Sequence, residues 1–437
     1  MKGFVYNILL LLFAGTLTVC GEENVKMKLT LEEAKAIALK QNPTLAIAQA
    51  NILAAAAEVE KAAASFYPTI GIEAGLTRVR DYATRPVRDY NNDTKYSAGV
   101  TGSWMLLDAG ARRFSYEIAK RGGDMAVSAC DDARRTLMEN VAYAFFVVVQ
   151  AQNSMNIALQ DAEYNRILHN DAKTRLDNGV AKPSEVLNFE FQVGNAEVNY
   201  ITAERTWRNA CVTLGRLLVI QSDNIWDNIE LVEPDKEMLN TSFGNLQEQL
   251  DYARAHRPDY RQAQYEIVQA QLKVKLAETD YAPTVSAFYN YGFERMGSGH
   301  FNTHYDRNLN FGLALNWTLF SGFSTNASRA AAKANLEAAK QTLEQLDLTI
   351  DAEIRQNFVA LESSRATYEK QCSQYEIAKK IRDLVKEEYD GGTATITRLN
   401  EVQTDLTNAA LARNNAYIEV LNSIEALQSS TGHNLDN

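Results

Sequence analysis

Seven prolines stand in a chain of 437 residues, and their positions constrain its fold more than any other feature. None falls between residues 87 and 182, and none follows Pro283. A proline inside a helix removes a hydrogen bond and clashes with the preceding turn, at about 3 kcal/mol, so these stretches permit very long helices. The placement also repeats: Pro43 and Pro258 are 215 residues apart, as are Pro68 and Pro283. Residues 39–75 align with 253–290 around these prolines. Trp104 ahead of "LLDAG" matches Trp317 ahead of "LFSG" at an offset of 213, and "DNGVAKPSEVL" (177–187) matches "GGTATITRLN" (391–400) at the same offset. A period of that length is too long for a solenoid unit. It predicts a duplicated half-protein, with repeats over 29–220 and 245–430, a linker over 221–244 and a tail over 431–437.

Within each half the apolar residues fall at alternating steps of four and three. Leu137, Val141, Ala144, Val148 and Ala151 set the spacing in the first long segment, and Phe189, Val193, Ala196, Tyr200 and Ala203 continue it after "DNGVAKP". Leu336, Ala339, Leu343, Leu346 and Ile350, then Leu399, Val402, Leu406 and Ala409, do the same in the second half. A sustained 3.5-residue period marks coiled-coil packing. Each half is therefore expected to carry a long antiparallel helical hairpin that turns at "DNG" (177–179) or "DGG" (390–392), with Gly179 and Gly392 suited to left-handed caps. One helix over 110–177 would be roughly 100 Å long. Gly122 and Gly123 could kink it, or Asp124 could cap a fresh start. Shorter helix pairs are expected at 30–41 with 44–66 and at 245–256 with 259–281.

Between the helical blocks the period changes to two, over 69–80, 96–106, 284–295 and 309–319. Tyr96, Val100 and Trp104 share one face of the second strand; Tyr289 and Tyr291 share a face of the third, and Phe311 and Trp317 of the fourth. The opposite faces are small and polar. Strands of that length, apolar and aromatic on one side and polar on the other, suit an outer-membrane barrel with these aromatics facing lipid. Half-buried strands of a soluble sheet show the same alternation. The connections at 81–95 and 297–307 read as long polar loops. Four strands cannot close a barrel, for which about eight is the practical minimum, and lipid does not tolerate open sheet edges. A barrel then requires oligomerisation, with eight strands from a dimer or twelve from a trimer.

Lys2, an uncharged run to Gly21 and then Glu22 and Glu23 predict a signal peptide over 1–21. "LTVC" resembles a lipoprotein cleavage box, which makes Cys20 a candidate for lipidation, although Val19 is bulkier than the residue usual there. Cys130, Cys211 and Cys372 are widely spaced and predict neither a metal site nor a disulfide framework. His300 and His304 are four apart in a Gly/Asn-rich strand tip, a poor setting for a metal. No GxxxxGK, GxSxG or HExxH motif occurs, so an enzyme is not expected, nor a cofactor. A net charge of −11 speaks against nucleic acid.

The ordered set of "LTLEEAKAIALKQNPTL", "YPTI…W…LLDAG", "NGVAKPSEVLNFEFQ", "APTV…W…LFSG" and "GGTATITRLNEVQTDL" resembles the TolC-type outer-membrane efflux channel family over residues 29–430. The resemblance implies a mainly α chain whose four strands join a twelve-stranded barrel in a homotrimer, continued by a helical tunnel. It places the chain in the outer membrane of a Gram-negative bacterium, with a large periplasmic portion. It makes the chain the exit duct of a tripartite efflux or type I secretion system. Its partners would be outer-membrane lipid, a periplasmic adaptor, and an inner-membrane pump of resistance-nodulation-division or ABC type. The resemblance also implies that Gly179, Val180, Gly392 and Thr393 form adaptor-contact tips, and that Glu185, Arg398 and Glu401 line a periplasmic gate. Arg398 stands where the family commonly has an acidic residue, and a pair with Glu401 or Glu185 could hold the gate closed. The competing expectation is a periplasmic coiled-coil scaffold or stalk with no pore.

Overall fold

The computed structural model describes residues 27–82, 90–180, 182–220, 226, 229–234, 236–296 and 306–435. The expected signal peptide, Cys20, His300 and His304 lie outside them. The first half runs β1 (Met27–Leu29), α1 (Leu31–Gln41), α2 (Pro43–Ala64), β2 (Thr69–Tyr82), β3 (Tyr90–Leu107), α3 (Ala111–Asp177) and α4 (Pro183–Leu218). After β4 (Ile229–Leu231) and a 3-10 turn at Lys236–Asn240 come α5 (Leu246–His256), α6 (Pro258–Thr279), β5 (Thr284–Met296), β6 (Arg307–Asn316), α7 (Ser324–Asp390) and α8 (Ile396–Thr431). In each half the four helices have 11, 22, 67 and 36 residues, in that order.

Local chemistry sets these boundaries. Thr30 with Glu33 and Asn245 with Glu248 form capping boxes at the starts of α1 and α5. Pro43, Pro183 and Pro258 each occupy the first turn of a helix, where the missing N–H has no intrahelical partner to lose. Gly179 (φ +75°) and Gly392 (φ +78°) turn the two long hairpins, and the backbone bonds Val180 N to Arg175 O (2.8 Å) and Thr393 N to Glu388 O (2.9 Å) close the helix ends.

The helix α3 is unbroken across Gly122 and Gly123, so neither the kink nor the fresh start at Asp124 occurs. Glycine costs about 1 kcal/mol in a helix, but tertiary packing overrides it here. A Cβ at Gly122 would stand 3.8 Å from Gln269 of α6, and one at Gly123 would stand 3.8 Å from Val59 of α2. Thus α2 and α6 flank the N-terminal part of α3, whereas α4 and α8 flank its C-terminal part. The seam residues Leu137, Val141, Ala144, Phe145, Val148 and Ala151 are buried in the main core with Leu214, Leu218 and Leu421. A second cluster joins α5, α7 and α8 around Ile350, Ile354 and Ile424, and a third lies near the hairpin tips. The parallel pairing of β1 with β4 ties the linker between the halves to the start of the described chain.

The other four strands form one antiparallel sheet in the order β2-β3-β5-β6. Its register carries a single apolar face across all four strands. Ile72 opposes Val100, Val100 opposes Tyr291, and Tyr291 opposes Leu309. The largest differences from the sequence expectation are at two strand limits. β3 begins at Tyr90, so part of the expected loop 81–95 is paired strand, and β6 ends at Asn316, leaving Trp317–Leu319 beyond it. Trp317 donates its indole N–H to the Tyr281 carbonyl (3.1 Å) in the turn before β5. Trp104 makes the equivalent bond to the Phe66 carbonyl (3.0 Å) before β2.

Candidate functional site

The tips of the two hairpins meet at the ends of α3 and α7. Leu168 and Ala172 of α3, Phe189 of α4, Val385 of α7, and Leu399 and Val402 of α8 form their own buried cluster, with Tyr389 packed edge-on to Phe189 at 6.2 Å. Charge contacts surround it. Arg175 of α3 reaches Asp390 of α7 at 2.6 Å and lies over the Tyr389 ring at 5.2 Å. Lys386 holds the same carboxylate at 2.7 Å from within α7. The Lys386 ammonium, and then Arg175, keep Asp390 below the ordinary carboxylate range against a smaller opposing effect of burial. Nearer the middle of the hairpins, Arg382 lies 4.8 Å over the Tyr164 ring, and Asp161 accepts hydrogen bonds from Gln403 (2.7 Å) and Thr407 (3.0 Å).

Of the expected gate residues, Arg398 pairs with Glu401 at 2.7 Å on the same face of α8, both more than half exposed. Glu185 lies in the first turn of α4, near enough to Tyr389 to help burial raise its phenol. Val180 is 80% exposed, and Gly179, Gly392 and Thr393 are exposed at the ends of the hairpins. The contacts that join one hairpin to the other, Arg175–Asp390 above all, were missed in the sequence. Their only signal is a basic residue and an acidic residue in the last turns of two helices, and nothing local pairs them.

At the other end of the molecule Tyr96, Trp104, Tyr289, Tyr291, Phe311 and Trp317 all stay exposed. Phe311 (74%), Leu313 and Leu315 lie almost bare on the β6 edge, and Ile70 and Ile72 on the β2 edge. The opposite face carries Glu73, Ser97, Thr101, Asn290, Glu294 and Asn308, with Lys95 paired to Glu294 at 2.5 Å. On this polar face Gly99 and Gly292 oppose one another, and a Cβ on either would meet the partner strand's backbone at 2.9 Å. Side chains converge on the concave face of a curved sheet, and two opposed glycines there permit tight curvature.

Two exposed apolar stripes run down the helices: Leu187, Phe191, Val198 and Ile201 on α4, and Ile377, Ile381 and Leu384 on α7. Both keep the four-three spacing of a coiled-coil seam. Among the described residues no three His, Cys, Asp or Glu side chains are grouped to hold a metal, and no helix is long and apolar enough to cross a membrane. Cys130, Cys211 and Cys372 are free thiols, and burial pushes that of Cys211 up to about 11.

Comparison with known proteins places this geometry. The family model described as "Outer membrane efflux protein" matches residues 36–218 and again 250–433. The protein CyaE of Bordetella pertussis is 24% identical over 383 residues, covering 87% of this chain and 79% of that protein. The outer membrane protein TolC of Salmonella enteritidis is 24% identical over 401 residues, covering 88% and 78%. Among solved structures, the CmeC outer membrane channel of Campylobacter jejuni superposes with a TM-score of 0.80 at 20% identity, over 92% of this chain and 85% of that one.

Proposed function

The chain belongs to the outer membrane efflux protein family, and from that premise we propose that it forms a trimeric duct that conducts cargo passively out through the outer membrane. One observation carries the reading. A four-stranded sheet with one continuous apolar face and two open edges, β2 and β6, sits at one end of helices roughly 100 Å long. An open edge is not tolerated in lipid, so the sheet must be completed by other copies. Three copies supply twelve strands, with the aromatic face towards lipid and the Glu73–Asn290–Asn308 face lining a wet lumen. The exposed stripes on α4 and α7 support the same closure below the membrane, α4 of one copy meeting α7 of the next.

At the far end, the duct is held narrow by hairpin-to-hairpin contacts within each chain, Arg175–Asp390 and the cluster around Phe189. Arg398 and Glu401 supply a ring of exposed charge beside them. Gly179, Val180, Gly392 and Thr393 are the surface offered to a periplasmic adaptor, which would link the duct to an inner-membrane pump. Cys20 is retained as a possible lipid anchor. The test combines three measurements: fractionation with outer membranes, native mass of the detergent-extracted oligomer, and single-channel conductance in a planar bilayer. A trimer that conducts is expected. A folded oligomer that fractionates with soluble periplasmic proteins and passes no current would refute the reading.

A further inference from the structure

Two buried acceptors one turn apart on α8, Asn422 Oδ1 and Glu425 Oε2, have no hydrogen-bond donor among the described residues. Glu425 is 4% exposed, and its other oxygen accepts from Lys35 of α1 at 2.8 Å. Both residues line one groove of about 400 Å³ between α3, α7 and α8, with Glu139, Tyr143, Asn357 and Glu419. The three glutamates are its only charged lining residues. Glu139 has a neutral partner, the Ser429 hydroxyl at 2.6 Å. Burial raises the Glu425 carboxyl, Lys35 opposes that rise, and Glu32 and Glu139 add to it.

Chemistry narrows the occupant. Acceptors without donors call for a group that carries N–H bonds, and the surplus of carboxylates calls for positive charge. The three carboxylates are not grouped to hold a metal. A quaternary ammonium has no N–H to give, and Tyr143 is the single aromatic in the lining, short of the cage that such cations use. A guanidinium pairs best with both oxygens of one carboxylate, and Lys35 already holds one oxygen of Glu425. A primary ammonium carries three donors on one atom and suits two acceptors on different side chains. Their terminal torsions are broad, so a small turn brings each oxygen to the groove surface. Glu419, one turn before Asn422, stands about 7 Å along the axis from the midpoint of Asn422 and Glu425. A chain of about four or five methylenes spans that distance to a second ammonium.

The packing of α8 orients the groove. Ile418, Leu421, Ile424 and Leu427 face the clusters shared with α1 and α5. At about 100° per residue, Glu419 and Asn422 point away from those clusters. Four helices per chain stand abreast at any level, α3 and α7 alternating with α2 or α4 and with α6 or α8. Twelve helices from three copies, about 10 Å apart, enclose a bore about 28 Å wide. Six α1 and α5 helices, each 10–12 Å thick, would fill it. They therefore lie outside the wall, and the groove opens inward.

We propose that this groove binds short linear diamines and polyamines, one primary ammonium held between Asn422 and Glu425 and a second at Glu419. The proposal rests on the duct reading only for the side on which the groove opens. The first test is calorimetric titration of the detergent-extracted protein with 1,5-diaminopentane, beside tetramethylammonium and a capped lysine amide. Saturable diamine binding is expected, at least tenfold tighter than either of the other two and at least tenfold weaker in Asn422→Leu. That variant replaces an acceptor that has no donor, so its thermal midpoint should equal or exceed that of the wild type. Glu419→Gln, at an exposed position, should weaken the diamine and leave the capped lysine unaffected. In single-channel recording the diamine should reduce the wild-type current, with at least tenfold less sensitivity in Asn422→Leu. Binding by calorimetry without any current would reject the duct and keep the groove as an amine site. Normal conductance with no diamine binding would overturn the proposal and leave the duct standing, with a proton on Glu425 Oε2 given to Asn422 as the occupant. Binding unchanged in Asn422→Leu, or a capped lysine that binds as tightly as the diamine, would overturn it equally.

Discussion

Replacing Arg175 with alanine removes the one ion pair among the described residues that crosses between the tips of the two hairpins, and the geometry sets the size of its effect on opening. Arg175 and Asp390 are 35% and 42% exposed, so solvent screens their attraction, and the lower part of the range for exposed pairs applies, about 0.5 kcal/mol. The guanidinium also lies 5.2 Å over the Tyr389 ring, an exposed cation–π contact of about 0.5 kcal/mol. Lys386 contributes nothing to this sum, because it holds Asp390 from the same helix and moves with it. In the proposed trimer, about 1 kcal/mol per chain becomes about 3 kcal/mol if three chains open together, or roughly a hundredfold in the ratio of open to closed channels. The assay is the open fraction of purified channels in a planar bilayer, recorded at 0.1 M and 1 M salt. Arg175→Ala is expected to raise the open fraction strongly at 0.1 M and less at 1 M, where the screening length falls from about 10 Å to about 3 Å. Arg166→Ala serves as control, because its 2.6 Å pair with Glu197 lies within one hairpin and should leave gating unchanged. An open fraction equal in wild type and Arg175→Ala, or raised equally by Arg166→Ala, would show that this pair does not hold the tips together. The pH dependence follows in sign. The Asp390 carboxyl is held below its ordinary value, so its contribution is complete above about pH 4 and is lost only as the pH falls through the lower folded value.

Three further outcomes are expected. Gly292→Val should abolish the oligomer on semi-native gels, because its Cβ would strike the Ala98 carbonyl at 2.9 Å, whereas Gly194→Ala, in mid-helix with open space around it, should stabilise the chain by up to about 1 kcal/mol, read as a raised midpoint in thermal denaturation. Trp104→Phe and Trp317→Phe each lose one indole hydrogen bond between strand end and helix turn, at about 1 kcal/mol apiece, read as a lowered midpoint in thermal denaturation. Arg257→Met should destabilise the chain by about 2 kcal/mol in denaturant titration, because the buried guanidinium serves Asp259 and Glu353, each at 2.8 Å, and the Ser430 carbonyl, while the two carboxylates are 23% and 40% exposed and stay partly solvated when it is removed.

Much of the architecture was legible because it is written locally. A period of 3.5 residues, a proline-free stretch and a glycine after a polar turn specify a long hairpin wherever they occur, and α3 with α4 and α7 with α8 follow those signals closely. Alternation of period two likewise placed Tyr96, Tyr289 and Phe311 on one face before any pairing was known. Local preference left the continuity of α3 open and misread the end of β6. Gly122 and Gly123 stay helical because α2 and α6 press on α3 from two sides. Trp317 lies past the end of β6, with its indole hydrogen given to a carbonyl 36 residues earlier.

The order of the eight helices and of the four sheet strands, and the apolar face of each, were legible in the sequence, since each depends on residues within a few turns of one another, whereas β1, β4 and the limits of β3 and β6 were not. Only the tertiary structure decided which faces meet. Arg175 and Asp390 are 215 residues apart, and Gly99 and Gly292 are 193 apart. Such contacts depend on the register between long helices and between strands. A shift of one residue turns a side chain by about 100° on a helix and to the opposite face of a sheet. That register is set by the summed packing of three separate cores.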